Sequence, residues 1–247
     1  AKNKFSETYL NKIKSVCDPL SIEYIVVNHT EPDHSGCLDD LLEIAPNATV
    51  VGSGNAIRYL KDILGHEFRH LQVRDGDTLS LGNKTLKFIG APNLHWPDSI
   101  YTYLPEDRLL FTCDSFGAHF CNELMFDDLT GDYDEAFLYY YNVILKPYSK
   151  FLLKAIEKIK PLEIDQICTG HGPILRSTWK QRVAQSESLS LEALKIREKR
   201  RVFIPYVSAY HNTAILAETI AEGIRNAGEI DVYTCDIENT PFGEIDA

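Results

Sequence analysis

Four side chains that commonly ligate metal ions fall within six residues of this chain. His29, Glu31, Asp33 and His34 directly follow an apolar run at residues 24–27, which predicts a buried strand. A strand fixes where the next loop begins, so a loop of imidazoles and carboxylates at this place can build a metal site. The segment therefore predicts a metal centre at the end of a strand.

Three more residues of the same kinds follow apolar runs further along the chain, namely His95, Asp114 and His171. Taken singly, each has an ordinary alternative as a hydrogen-bonded histidine or a capping aspartate. Together with the first segment they make four histidines and three carboxylates. That number suits two metal ions that share one bridging carboxylate.

The elements that must position these residues alternate between helices and strands, which predicts an α/β fold. Turn signals separate short strands in the middle of the chain, and Pro147 is expected to break a long helical stretch. The predicted helices lie at 5–17, 36–45, 54–64, 133–160 and 178–199. The predicted strands lie at 23–27, 48–52, 67–73, 78–81, 84–90 and 164–168, with a hairpin at 100–112 that turns at 105–107.

A second unit is predicted to begin at residue 201. A strand at 202–207, a polar loop at 208–213, a helix at 214–227 and a strand at 229–235 are typical of the opening βαβ of a doubly wound domain. Two strands do not make a stable open sheet. We therefore interpret residues 1–200 as one domain without its N-terminal part and residues 201–247 as the start of a truncated second domain.

The overall composition narrows the classes of function. The chain has 247 residues, 44% of them apolar, and a net charge of −11, which disfavours binding to nucleic acid or to anionic lipid. The six cysteines form no CxxC pair and no disulfide framework. With no signal peptide and no apolar run that could span a bilayer, these features predict a cytoplasmic protein.

The order and spacing of the seven ligand-type residues resemble the metal motif of the metallo-β-lactamase superfamily. Hydrolases of that superfamily carry HxHxDH, whereas here Glu31 replaces the second histidine. That variant is similar to the flavodiiron proteins, also called A-type flavoproteins. The resemblance implies a metallo-β-lactamase-like αββα sandwich over residues 1–200, followed by a partial flavodoxin-like domain.

The same resemblance implies a diiron centre. A carboxylate-rich site suits iron, since anionic ligands help to neutralise the ferric state. By analogy with the family, one iron takes His29, Glu31 and His95, the other takes Asp33, His34 and His171, and Asp114 bridges the two. Around this set, Asp98 is a candidate for orienting a ligand histidine, and Trp96 is expected to pack over the site. His119 is expected either to lie beside the ligands or to form a hydrogen bond with the backbone.

The loop at 208–213 resembles the family's FMN phosphate loop, because hydroxyls and backbone N–H groups at a helix start can hold a phosphate. The alternative is an ordinary helix cap by Asn212 or Thr213. His211 stands where the family often has glycine. The candidate FMN contacts are Ser208, Ala209, Tyr210, His211, Asn212 and Thr213.

The resemblance implies an oxidoreductase that reduces dioxygen to water, nitric oxide to nitrous oxide, or both. Electrons would come from a small donor such as rubredoxin or a reductase and pass through FMN, in a head-to-tail homodimer. Two alternatives stay open, a binuclear zinc hydrolase and a metal-stabilised scaffold or electron-transfer module. Glu31 and the second unit argue against the hydrolase.

Overall fold

The structure is a computed structural model that describes residues 1–195 and 200–240. The chain divides into two compact units, Ala1–Leu194 and Lys195–Ala247. The assignment of residues 1–200 to a diiron domain and of 201–247 to a flavin domain stays a prediction.

The first part of the first unit is a parallel three-stranded sheet with helices between its strands. The strands pair in the order β1-β2-β3. The elements are α1 (Ser6–Val16), β1 (Tyr24–Val27), α2 (Pro32–Ser35), α3 (Leu38–Ile44), β2 (Thr49–Ser53), α4 (Gly54–Leu64) and β3 (His70–Val73).

A second sheet of five strands follows in the order β4-β5-β6-β7-β8. Its first four strands are antiparallel neighbours, as expected for short hairpins, while β7 and β8 run parallel. The strands are β4 (Thr78–Ser80), β5 (Thr85–Gly90), β6 (Ile100–Leu104), β7 (Leu109–Cys113) and β8 (Gln166–Thr169).

The predicted break of the long helical stretch at Pro147 is confirmed. α5 (Asp134–Tyr140) passes into a π-helical turn and a short 3₁₀ turn at Lys146–Tyr148, and α6 (Ser149–Ile159) then begins. Proline has no N–H to continue the helical ladder, so the axis changes there. α7 (Trp179–Ala193) ends before residues 196–199, the part of the predicted helix that lies outside the described residues.

The two sheets pack face to face through a core between them. Val51 and Val73 of the first sheet meet Leu86, Phe88 and Ile100 of the second, and all five side chains are buried. Separate apolar clusters join the first sheet to α3 and α4, and the second sheet to α5, α6 and α7. The order helix, sheet, sheet, helix is the predicted αββα sandwich.

The second unit contains β9 (Arg200–Tyr206), α8 (Asn212–Ala227) and β10 (Ile230–Asp236). β9 and β10 pair in parallel, and α8 packs on them through Ala217 and Ala221. This is the βαβ arrangement that the sequence predicts.

The first helix buries only part of its apolar face. The sequence pattern places Phe5, Tyr9, Ile13 and Val16 on one face of the helix at 5–17. Phe5 and Val16 are exposed, whereas Tyr9, Leu10 and Ile13 pack against a buried cluster. Within residues 1–195 and 200–240, every helix is too short or too polar to cross a bilayer.

Candidate metal centre

The structure brings all seven ligand-type residues together at one end of the sandwich. The segment after β1 carries His29, Glu31, Asp33 and His34. Asp114 comes directly after β7, and His171 lies two residues after the end of β8. His95 lies in the loop between β5 and β6. The site therefore takes residues from both sheets.

Asp114 lies at the centre of the group and is 2% exposed. Its Oδ2 atom is 3.0 Å from His95 Nε2 and 3.5 Å from His29 Nε2, while its Oδ1 atom is 3.0 Å from His34 Nε2 and 3.3 Å from His171 Nε2. The two oxygens therefore face two different pairs of histidines.

Each pair of histidines also contacts one further carboxylate. Glu31 Oε2 is 3.3 Å from His29 Nε2 and 3.1 Å from His95 Nε2. On the other side, Asp33 approaches His34 Nε2 to 3.6 Å and His171 Nε2 to 3.2 Å. The two sets correspond to the division between two metal ions that the resemblance implies. A ring nitrogen of His34 also lies within 4.8 Å of the ligand atoms of His29, Glu31 and Asp114. We place His34 in the second set because it faces Asp114 Oδ1, whereas the first set faces Oδ2.

The chemistry of the donors fits a metal ion better than a hydrogen-bond network. Among the described residues, Asp33 Oδ1, His34 Nε2 and Asp114 Oδ1 are buried polar atoms without a hydrogen-bond partner. Buried polar atoms are normally paired, so such orphans point to a missing ligand. Nitrogen and oxygen atoms about 2.1 Å from one cation lie about 3.0–3.4 Å apart, close to the spacing found here.

Electrostatics keep the central carboxylate charged. Burial alone raises the pKa of Asp114, but the adjacent imidazoles of His171, His34 and His95 hold that pKa far below its usual value. The pKa of His171 is raised, chiefly by the adjacent Asp114 carboxylate. Three carboxylates in a partly buried cluster need compensating positive charge, which bound cations can provide.

Asp98 has the orienting position that the sequence predicts. It is fully buried, and its carboxylate lies 3.2 Å from His29 Nδ1 and accepts a hydrogen bond of 2.7 Å from the Thr30 N–H group. Burial lowers the pKa of His29, but the hydrogen bond with Asp98 and the negative charges of Asp98 and Asp114 together raise that pKa overall. A ligand histidine commonly donates its second N–H to such a carboxylate.

Aromatic residues surround the cluster. The His29 ring lies 5.3 Å from the Trp96 ring, and the His171 ring lies 5.5 Å from His119 and 5.9 Å from Tyr140. Burial raises the pKa of the Tyr140 hydroxyl, and the charge of Asp114 raises it further. Tyr140 is buried on α5, and its helical pattern alone predicts a core residue without indicating that it lies beside the cluster.

Cys113 is a neighbour of the cluster that sequence reasoning missed. Its Sγ atom lies 3.6 Å from His34 Nδ1, and burial raises the pKa of its thiol well above the usual value. Its position directly before Asp114 is a signal that could have marked it. The Cβ of a side chain added at Gly170 would lie only 2.8 Å from His34 Cε1, so the His34 ring packs against bare backbone there.

The candidate flavin loop lies in the second unit, between β9 and α8. α8 begins at Asn212, and its first turn is capped by Ser208, whose Oγ atom accepts a 3.1 Å hydrogen bond from the Ala214 N–H group. Neither of the two predicted caps, Asn212 or Thr213, has this position. His211 adopts a left-handed φ of 62°, the conformation for which glycine is best suited.

The remaining members of the loop are available to a ligand. Tyr210 is 86% exposed. The first N–H groups of any helix have no partner within the helix, so those of Asn212 and Thr213 can donate to an anion. The role of residues 208–213 in binding FMN stays a prediction.

Comparison with known proteins identifies the family. The model of the ODP family beta lactamase matches residues 1–172. Flavo-diiron protein FprA2 of Clostridium acetobutylicum is 41% identical over 98% of this chain and 62% of its own length. The type A flavoprotein fprA of Rhodobacter capsulatus is 36% identical over 98% of this chain and 57% of its own length.

Solved structures give the same result. The flavodiiron protein from Giardia intestinalis superposes with a TM-score of 0.74 at 32% identity, covering 99% of this chain and 60% of that one. Rubredoxin oxygen:oxidoreductase from Desulfovibrio gigas gives a TM-score of 0.71 at 28% identity over 95% and 59%. This chain thus spans about three fifths of the length of these relatives.

These matches confirm the predicted fold class and the predicted resemblance. The chain belongs to the ODP beta-lactamase family and is a metallo-β-lactamase-like relative of the flavodiiron proteins.

Proposed function

We propose that this chain is the core of a diiron flavoprotein oxidoreductase that reduces dioxygen to water, nitric oxide to nitrous oxide, or both. The observation that carries the proposal is the position of Asp114, with one carboxylate oxygen facing each set of ligand-type residues. Reduction of dioxygen to two waters takes four electrons and four protons, and reduction of two nitric oxide molecules to nitrous oxide and water takes two of each.

In this proposal each set of side chains holds one ion. His29, Glu31 and His95 would hold the first and Asp33, His34 and His171 the second, with Asp114 shared by the two sets. Bound iron would supply the electrons that reduce the gas, and bound FMN would supply electrons to the iron. Glu31 gives the first set a carboxylate where hydrolases of this fold have a histidine, which favours iron over zinc.

Protons for the reaction come from groups beside the cluster. His119 and Tyr140 both lie near His171 and can each hold a proton next to the bound gas. Burial lowers the pKa of His119, with a further contribution from His171, so its imidazole is neutral near pH 7 and suits passing a proton on rather than storing one. Trp96 and Tyr148 pack beside His29 and His95 and keep water from that side.

The proposal extends to partners. Residues 208–213 would hold the FMN phosphate, and a small redox protein such as rubredoxin, or a reductase, would supply electrons, as the name of the Desulfovibrio gigas relative suggests for that protein. A head-to-tail homodimer would bring the flavin of one subunit to the centre of the other. Six unpaired cysteines fit a reducing, cytoplasmic compartment.

The test combines metal analysis with rapid kinetics on the intact protein. We expect two irons and no zinc in each chain, and rapid reoxidation when the anaerobically reduced protein is mixed with dioxygen or nitric oxide. Running the two gases in parallel decides which one is preferred. Bound zinc together with esterase activity, and no reoxidation by either gas, would contradict the proposal.

A further inference from the structure

His34 is held in place by Asp114 and by two neighbours that are not ligand candidates, Cys113 and the Gly170 backbone. Its Nε2 atom lies 3.0 Å from Asp114 Oδ1, and its Nδ1 atom, on the opposite side of the ring, lies 3.6 Å from Cys113 Sγ. The Gly170 backbone closes off one side of the ring, where a Cβ would lie 2.8 Å from His34 Cε1. The orientation of the ring thus depends on contacts from β7 and from the segment after β8.

The backbone around Cys113 directs the thiol toward this ring. Cys113 has a φ of 52°, which is uncommon for a residue with a side chain, and the pairing of β7 with β8 shifts register between Phe111 and Cys113. The Gly170 N–H group donates a hydrogen bond of 2.5 Å to the Cys113 carbonyl. This local strain is the cost of turning Asp114 and the thiol toward the cluster.

His29 and His34 differ in the group behind the ring. Behind His29 lies the buried Asp98 carboxylate, 3.2 Å from Nδ1. Behind His34 lies the Cys113 thiol, whose sulfur is a weak acceptor. Since an acceptor at Nδ1 fixes the ring and makes Nε2 a stronger donor to a metal, the two histidines are supported to different degrees.

We propose that Cys113 is a positioning residue for His34, accepting the Nδ1–H group so that Nε2 points to the metal on its side of Asp114. The inference rests on the dinuclear centre proposed above. It implies that the site of Asp33, His34 and His171 binds its metal with lower affinity than the site of His29, Glu31 and His95. It also means that the choice of residue at position 113 sets how firmly the second metal is bound.

The test uses cobalt(II) as the probe, because its visible absorption reports the ligands around it. Metal-free intact protein is titrated anaerobically, and uptake of each equivalent is followed by absorption and by calorimetry. Three variants are compared with the wild type, Cys113→Ala, Cys113→Asn and Cys168→Ala. Cys168 is the matched control, since it is also half-buried and lines the same cavity of about 630 Å³ as Cys113.

We expect Cys113→Ala to weaken binding of one equivalent about 10- to 100-fold and to leave the other unchanged. Cys113→Asn should restore binding, because an asparagine amide oxygen accepts from Nδ1–H and asparagine tolerates a positive φ. The Cys113→Asn variant also allows cobalt affinity to be measured if Cys113→Ala does not fold. Cys168→Ala should bind cobalt like the wild type.

The outcomes separate this inference from the proposed function. If the wild type takes up two equivalents and Cys113→Ala does so with the same affinities and spectrum, the role of Cys113 is wrong and the dinuclear centre stands. Weakening by Cys168→Ala to the same extent would also overturn that role, since the effect would not be specific to the thiol beside His34. If the wild type binds fewer than two equivalents, the proposed centre itself is wrong.

Discussion

Asp114 is the residue whose two oxygen atoms organise the cluster. Its Oδ2 atom lies 3.0 Å from His95 Nε2, and its Oδ1 atom lies 3.0 Å from His34 Nε2. These distances are close to those between two ligand atoms of one metal ion. A neutral amide at this position could not offer two equivalent acceptors. The single carboxylate therefore allows two cations to lie side by side.

Glu31 is the residue that distinguishes this site from the hydrolase motif, and its removal tests the proposed chemistry. Glu31→Ala leaves His29 and His95 without their shared carboxylate, so we expect gas reduction to fall by at least about 100-fold and one iron per chain to be lost. Turnover with each gas and iron analysis measure the effect. Glu43→Ala, on the exposed side of α3, is the control, and retained activity in Glu31→Ala would count against the assignment.

Gly170 offers a second test at the same scale, on stability as well as on metal binding. A methyl group at this position meets His34 Cε1 at 2.8 Å and the Cys113 backbone at 3.2 Å, and neither can move away freely. We expect Gly170→Ala to lower the free energy of unfolding by about 1–3 kcal/mol through overpacking and to weaken one metal equivalent. Denaturant unfolding and metal titration measure the two effects.

The control for that substitution is Gly54→Ala at the start of α4. The nearest atom to its added methyl group is Gln72 Oε1 at 3.7 Å, so the change should be neutral or slightly stabilising. Equal losses of stability in the two variants would show that packing against His34 is not the cause.

At the scale of elements, the ends of strands carry the site. The sequence predicted that each ligand-type residue follows an apolar run, and β1, β7 and β8 all end next to the cluster. It could not predict the contact of Cys113 with His34 or that of Tyr140 with the cluster. Those contacts depend on which strands become neighbours and on how α5 passes over the second sheet, and neither is encoded in a local pattern of residues.

Asp127 joins two elements and shows how a single carboxylate can anchor a helix. It is 6% exposed and accepts hydrogen bonds from the backbone N–H groups of Arg176, Ser177 and Thr178, just before α7, and from the Thr178 hydroxyl. Burial alone would raise the pKa of Asp127, but these hydrogen bonds, led by that of Thr178, hold it below its usual value.

A lowered pKa in the folded state sets the direction of a pH effect. The stability due to Asp127 is fully present above the pKa of the unfolded chain, about 3.9, and is lost as the pH falls through the lower pKa of the folded state. We expect Asp127→Asn to cost about 1.5–3 kcal/mol at pH 7 and to make stability less dependent on pH in the acid range. Urea unfolding at several pH values measures both.

Asp128→Asn is the matched control for that experiment. Its carboxylate pairs with Arg176 at the surface, where solvent screens the charges, so the loss of stability should be much smaller than for Asp127. A larger loss in Asp128→Asn than in Asp127→Asn would contradict the capping role.

For the molecule as a whole, sequence reasoning predicted the architecture well and its internal arrangement less well. The alternation of elements predicted an α/β fold, the family resemblance implied the αββα sandwich, and α4 lies at 54–64 as predicted. The exposure of Phe5 and Val16 was not foreseen, because helical periodicity shows which residues share a face and not whether a neighbour covers it. This error is most common for helices near the end of a chain, where fewer neighbours cover them.

The division into two units gives a prediction about which part of the chain binds which cofactor. All seven ligand-type residues lie in Ala1–Leu194, and the candidate FMN residues all lie in Lys195–Ala247. We expect a variant that ends at Leu194 to fold and to bind two metal equivalents, while losing any flavin that the intact protein holds. Metal analysis, flavin fluorescence and circular dichroism check the two proteins side by side.

Two results would contradict this expectation. Retention of flavin by the shortened variant would remove residues 208–213 from the proposed FMN site. Loss of both metals from a variant that remains folded would mean that the second unit supports the cluster.

The origin of the cluster in both sheets has a consequence for how the protein matures. His29 comes from the start of the first unit and His171 from near its end, so the ligands meet only after the two sheets have packed together. The complete ligand set for either cation therefore forms only when the chain is nearly native. Under the proposed function, metal delivery would be a late step of biogenesis, and a shortage of the metal would leave a folded protein that awaits activation rather than an unfolded one.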